Sequence, residues 1–237
     1  MTPGSPRSCS QACHAGASAL LLVLTTLLLG CGQKTTGEST APQQSTSLQH
    51  AGFETPGALV EHLNSLIESP ESVKEKLLAV HALSLADSPD ARRGFKVQIE
   101  FVTAFQNLMQ AAAAAFGNES SPALGMMKTQ IDNSISKMHL DSLKMTSGTS
   151  AEITVDQAMG TPITQYLVKT QRGWLINEDE NYARTPELVE GLDVLPIYIG
   201  AFNSVADQIK AGGISDPKEI DMAIGQAIQA HSGAGRP

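Results

Sequence analysis

Ala151-Glu152-Ile153-Thr154-Val155, Gln165-Tyr166-Leu167-Val168-Lys169 and Gly173-Trp174-Leu175-Ile176 are the stretches on which the fold turns. The first alternates apolar and polar residues. The second, within Ile163 to Thr170, is rich in β-branched and aromatic side chains. Gln171-Arg172-Gly173 is a short turn between the second and the third. Period-two patterning with a tight Gly turn predicts antiparallel strands, the last two a hairpin. With Leu143-Lys144-Met145 and Gly148 ahead of them, residues 140–178 read as three or four strands.

Everything on either side of this block has helical spacing. Leu59, Val60, Leu63, Leu66 and Ile67 form one apolar stripe, and Val73, Leu77, Val80 and Ser84 a second. Phe95, Val102, Phe105, Leu108, Met109, Ala112 and Phe116 mark a long third helix that Gly117 ends. Met127, Ile131 and Ile135 mark a fourth. Beyond the strands, Ile197, Ala201, Val205 and Ile209 precede Gly212-Gly213, and Ile220, Ile224, Ala227 and Ile228 close the chain. Stripes at these intervals are core-facing helix surfaces. Ala111 to Ala115 reads as helix interior packed closely on a neighbour.

Six pairs punctuate these helices: Thr55-Pro56, Ser69-Pro70, Ser88-Pro89, Ser121-Pro122, Thr185-Pro186 and Asp216-Pro217. Each joins a side chain able to accept an orphan backbone N–H to a proline suited to the first helical position. Each is therefore expected to start a helix. The expected fold class is α+β, a helix-rich domain packed on a small curved antiparallel sheet, with C-terminal helices. Helices fall within 55–138, strands within 140–178, and helices again within 185–232.

The three strand segments resemble the closing strands of the nuclear transport factor 2-like superfamily, in which a "leucine-valine-lysine" strand precedes a "glycine-tryptophan-hydrophobic-isoleucine" strand. The likeness covers about 40 residues. It implies a bent sheet wrapped by N-terminal helices around a pocket. The long helices and the 50 or so residues after the last strand depart from that pattern. The superfamily holds both enzymes and non-catalytic modules, and no site residues of it match here.

The N-terminal segment has a different character. Ala19 to Leu29 is an apolar run preceded by Arg7 and closed by Leu28-Leu29-Gly30-Cys31. A positive start, an apolar centre of roughly 7–15 residues and a small residue at the cut form an export signal. The run is short of the ~20 residues of a bilayer span. Its end resembles the lipobox of bacterial lipoproteins, which implies cleavage before Cys31 and acylation of that cysteine with three chains, or at least a diacylglyceryl group. Two or more chains anchor stably, at about 0.8 kcal/mol per buried methylene. The expected organisation is thus a signal peptide over 1–30, a flexible tether over 31–50, and one α+β domain over 51–237. In the lipoproteins it resembles, Asp after the cysteine is the inner-membrane retention signal, so Gly32 there implies the outer membrane in preference to the inner.

Residues 32–50 have one large apolar residue, Leu48. Such a stretch cannot bury enough surface to offset its ordering entropy. As a flexible coil it reaches about 25 Å root-mean-square.

Cys9 and Cys13 lie in the leader with His14, so cleavage removes them and any metal site they suggest. After Cys31 no cysteine remains, which excludes disulfides, a catalytic thiol and thiolate zinc from the domain. The formal charge is −8, and Arg7 is the one charged residue before Cys31, so the rest of the chain is more negative still. An acidic surface disfavours nucleic acid and anionic headgroups alike. Membrane contact is therefore expected through the lipid on Cys31, with an envelope protein or a small apolar ligand as the further partner.

Motifs for chemistry are sparse. His62, His81 and His139 have no H-x-x-x-H or H-x-H partner, and no metal or cofactor is expected. His62 reads as a helix-surface residue. His139 with Asp141 offers an acid–base pair for the alternative reading, a small hydrolase, dehydratase or isomerase with a cone-shaped pocket. Glu178-Asp179-Glu180 lacks a calcium-loop pattern and reads as a solvated strand end. Asn118-Glu119-Ser120 matches a glycosylation sequon by chance in a bacterial context. Ser204 and Ser215 lack a nucleophile elbow. The function expected is that of a lipid-anchored envelope protein displaying a non-catalytic binding module.

Overall fold

Thr55 accepts a hydrogen bond from the Ala58 amide at 3.1 Å, and Pro56 opens the first helix of the domain. The computed structural model describes residues 52–117, 121–132, 137–155 and 162–233. The proposed leader and tether, with Cys31, Cys9 and Cys13, lie outside them, as do Ile135 and the Asn118-Glu119-Ser120 sequon.

In chain order the helices are α1 (Pro56–Glu68), α2 (Val73–Ala82), α3 (Pro89–Phe116), α4 (Pro122–Asp132), α5 (Glu178–Tyr182), α6 (Pro186–Lys210) and α7 (Glu219–Gly233). The strands are β1 (Ser84–Leu85), β2 (Met138–Met145), β3 (Ser150–Val155), β4 (Ile163–Thr170) and β5 (Gly173–Asn177). They form one five-stranded sheet in the order β1-β5-β4-β3-β2. The fold class is α+β.

The sheet is mixed, not wholly antiparallel. β2 to β5 form an antiparallel meander, but β1 pairs with β5 in parallel, Ser84 opposite Ile176 and Leu85 opposite Asn177. Two residues are too few for an alternation to register. Ser84, which fits the end of the α2 stripe, in fact leaves the helix and enters the sheet. The hairpin turn falls where the sequence predicts it. Gly173 there has φ of 106°, and its backbone packs directly on that of Gly52, beside the bridge between Phe53 and Trp174.

Four of the six predicted pairs open helices, and Asp216-Pro217 forms the turn that leads into α7 at Glu219. Ser88 and Ser121 accept from the Ala91 and Leu124 amides, each at 3.2 Å. Pro186 opens α6, although Thr185 makes no side-chain cap bond. Asp216 accepts from Lys218 N–H at 2.9 Å just ahead of α7. Ser69-Pro70 does not open one: Ser69 closes α1, and α2 starts three residues later from Ser72. The reason is reciprocity. Ser72 accepts from the Glu75 amide while Glu75 accepts from the Ser72 amide at 2.9 Å, a full capping box that Ser69 lacks.

Two apolar cores result. α1 lies on one face of the sheet, where Leu59, Val60 and Leu63 meet Ile153, Val155, Leu167, Trp174 and Ile176. Each such side chain contributes about 1.5–3 kcal/mol on burial. Asn64 fastens this layer to β2, donating to Met138 O at 3.0 Å and accepting from Met138 N at 2.9 Å. The second core is a helical bundle built on α3, α6 and α7, with α2 and α4 at its side. Phe202 is its centre, with ring centroids of Phe101, Phe105 and Tyr198 at 5.5, 5.7 and 6.2 Å. α6 is long and apolar enough to cross a bilayer, but Leu188, Leu192, Leu195, Ala201, Phe202 and Val205 on it are fully buried in this bundle. Of the alanine run, Ala111 and Ala112 are buried while Ala113 to Ala115 face solvent, so the close packing covers only its first turn.

Candidate functional site

Two places on the domain combine polar and apolar groups in ways that packing alone does not require. The first is a cleft of about 610 Å³ where the α1–α2 connection meets α3 and α4. Val73, Val102, Phe105, Met109 and Ile131 supply its apolar surface. Its rim carries Glu71, Lys76, Lys128 and Asp132, two charges of each sign. Lys76 donates to Ile67 O at 2.7 Å, near the negative end of the α1 dipole, and Lys128 pairs with Asp132. Both cations are therefore engaged within the protein. The cleft suits a small, largely apolar molecule better than an anion. A shallower groove of about 390 Å³ lies over Ala111, Ala114, Ala115 and Ile209, between α3 and α6.

The second place is the corner where β5 gives way to α5. Glu178-Asp179-Glu180 is not a solvated strand end. Asn177 accepts from the Glu180 amide at 3.1 Å and turns the chain into α5, carrying Glu178 inward until it is 4 % exposed. Asn181 Nδ2 donates to Glu178 Oε2 at 3.2 Å. Burial pushes the Glu178 carboxyl up to about 8, against the opposing Asn181 bond and with the Asp179 charge acting in the same direction as burial. Tyr182, also buried, has its phenol raised well above the usual range by the same loss of solvation and by Glu178, while Gln98 Nε2 donates to it at 3.2 Å.

His139 and Asp141 both lie on β2 and both are exposed. Neither lines the two cavities above. His62 is exposed, its ring 5.0 Å from that of Phe53, as a helix-surface residue would be. His81 is exposed on one side and rests on Phe95 at 4.3 Å, where partial burial lowers its pKa. Ser204 Oγ accepts from Gln208, and the Ser215 amide donates to Glu219. Among the described residues, no group of three His, Cys, Asp or Glu side chains is placed to hold a metal ion.

Sequence reading missed both places. The cleft joins residues from three helices some 60 positions apart, a proximity that no local pattern encodes. The Glu178 corner had one signal, an acidic residue two positions after the apolar run Trp174-Leu175-Ile176, with Asn181 one turn further on. Comparison of the chain with known protein families, with curated proteins and with solved structures finds no match.

Proposed function

We propose that this protein is a lipoprotein of the bacterial cell envelope, anchored through acyl chains on Cys31 and displaying its α+β domain as a non-catalytic binding module. The observation that carries the reading is Leu28-Leu29-Gly30-Cys31 at the end of an apolar run, followed at once by nineteen residues of which only Leu48 is large and apolar. A short apolar segment, a small residue and a cysteine in that order suit export and acylation. The polar stretch 32–50 then holds the domain off the bilayer. Gly32 favours the outer membrane over the inner.

The partner is an envelope protein or a small apolar ligand, and the cleft between α2, α3 and α4 is the part of the domain suited to the latter. The exposed placement of His139 and Asp141 gives the alternative, a pocket enzyme, no support.

Intact mass and membrane fractionation of the expressed protein, beside a Cys31→Ser variant, test the anchor. The wild type is expected in the membrane fraction with a mass raised by its acyl groups, and the variant without that mass and released. A wild-type protein that is soluble and unmodified overturns the reading.

A further inference from the structure

α5 is five residues long, too short to be stable by itself. Yet it ties three parts of the molecule together. Asp179 accepts from the Asp87 and Ser88 amides at 3.1 and 2.7 Å, holding the start of α3. Asn181 Oδ1 accepts from Tyr166 N–H at 3.0 Å, satisfying β4 beyond the end of β5. Tyr182 reaches Gln98 on the buried face of α3.

Glu178 stands at the root of these contacts. The β4–β5 ladder ends with Leu167 opposite Ile176, two residues short of Glu178. Gln165 is 1 % exposed, and neither its amide oxygen nor its nitrogen has a hydrogen-bond partner. Glu178 is itself 4 % exposed, with the Asn181 amide as its hydrogen-bond donor.

The charges around it do not favour an anion. Asp179, next in the chain, acts on Glu178 in the same direction as burial; the Asp87 amide is bonded to Asp179, and Asp90 in the first turn of α3 acts on Tyr182. The cations have other partners: Arg92 donates to Asp87 O, Arg93 pairs with Asp193, and Arg184 pairs with Glu180 and lies over the Tyr166 ring. An isolated carboxylate in such a place is strongly disfavoured relative to the neutral acid.

We propose that α5 is a protonation latch: Glu178 as a neutral acid lets α5 close over the end of the sheet, and its ionisation releases α5 from α3 and β4. The direction given above for the Glu178 carboxyl puts the transition in mildly alkaline solution.

Amide hydrogen exchange of the full-length protein in detergent tests this at pH 6.5 and pH 9, after correction for the intrinsic acceleration of exchange. Tyr166 and the α5 amides are expected to exchange at least tenfold faster at the higher pH, while Ala201 to Val205 in α6 stay unchanged. Glu178→Gln, which cannot ionise, is expected to abolish the difference. Equal protection of Tyr166 at both pH values overturns the latch, as does a Glu178→Gln protein with the wild-type response. Should that variant not fold, the ¹³C shift of the wild-type Glu178 carboxyl decides: a midpoint above pH 7 supports the latch, and one in the ordinary carboxylate range overturns it.

Discussion

Gly94 and Tyr182 touch across the junction of α3 and α5: a Cβ built at position 94 would overlap the Tyr182 phenol. The glycine is what admits this ring, and the ring's hydroxyl accepts the Gln98 amide at 3.2 Å. The absence of a side chain on α3 is thus the condition for docking α5.

Gly94→Ala sets two effects against each other. Ala is favoured over Gly in a helix by about 1 kcal/mol, whereas overpacking a buried site costs about 1–3 kcal/mol. The ring is 4 % exposed and cannot swing aside without breaking its bond, so the clash wins. Urea denaturation is expected to show a net loss of about 1–2 kcal/mol for Gly94→Ala. Gly225→Ala in α7, where a Cβ meets nothing within 4 Å, is expected to gain roughly 0.5–1 kcal/mol. Two variants moving in the same direction would refute the packing argument.

Asn64 bonds both backbone groups of Met138, the first residue of β2. Asn64→Leu leaves a part-buried N–H and C=O unpaired, at a cost of about 1–3 kcal/mol each when fully enclosed. A loss of about 1–3 kcal/mol in total is expected by thermal unfolding, with faster amide exchange at Met138. Asn64→Asp retains only the acceptor and is expected to fall between the two.

Glu178 gives stability a definite pH dependence. Its pKa is near 4.5 in the unfolded chain and is raised to about 8 in the fold. The folded state thus holds the proton longer. Stability from this group is complete below about pH 4.5 and is lost progressively as pH rises to about 8. His81 acts oppositely: its lowered pKa favours the neutral ring in the fold, so its share is lost as pH falls below 6.5. The difference between wild type and Glu178→Gln isolates the first effect. The Tm of the wild type relative to the variant is expected to decrease steadily from pH 5 to pH 8, and a constant difference would contradict the assignment.

Met109 is half-buried on the cleft surface with Val102 and Phe105. A lysine there places a charge on the apolar wall while its stem still covers α3. Fluorescence titration with N-phenyl-1-naphthylamine is expected to show saturable uptake by the wild type and at least tenfold weaker uptake by Met109→Lys. Undiminished uptake in the variant would remove the cleft as the ligand region.

Much of the architecture was legible locally. Ala151 to Val155 and Gly173 to Ile176 alternate or turn in ways only a sheet satisfies, and the stripe from Phe95 to Phe116 is one continuous helix from Pro89 to Phe116. Caps were legible where one side chain meets one amide, as at Ser88 and Ser121. They failed at Ser69, where the competing Ser72–Glu75 pair made two bonds to its one. β1 was illegible because two residues have no period, and because Ser84 suits a helix until Ile176 offers it a ladder.

Sequence alone determined the elements that depend on neighbours three or four positions away, together with the acidic balance and the absence of thiols after Cys31, and it holds the Leu28-Leu29-Gly30-Cys31 stretch on which the proposed anchor rests. Only the tertiary structure decided that Glu178 is buried, that His139 and Asp141 face solvent, and that α2, α3 and α4 enclose a cleft. Periodicity records which face of an element avoids water. Solvation of a particular carboxyl, and hence its charge, depends on what other elements bring against it. At Glu178 those are Asn181, tied to β4 through the Tyr166 amide, and the Tyr182 ring that Gly94 of α3 admits.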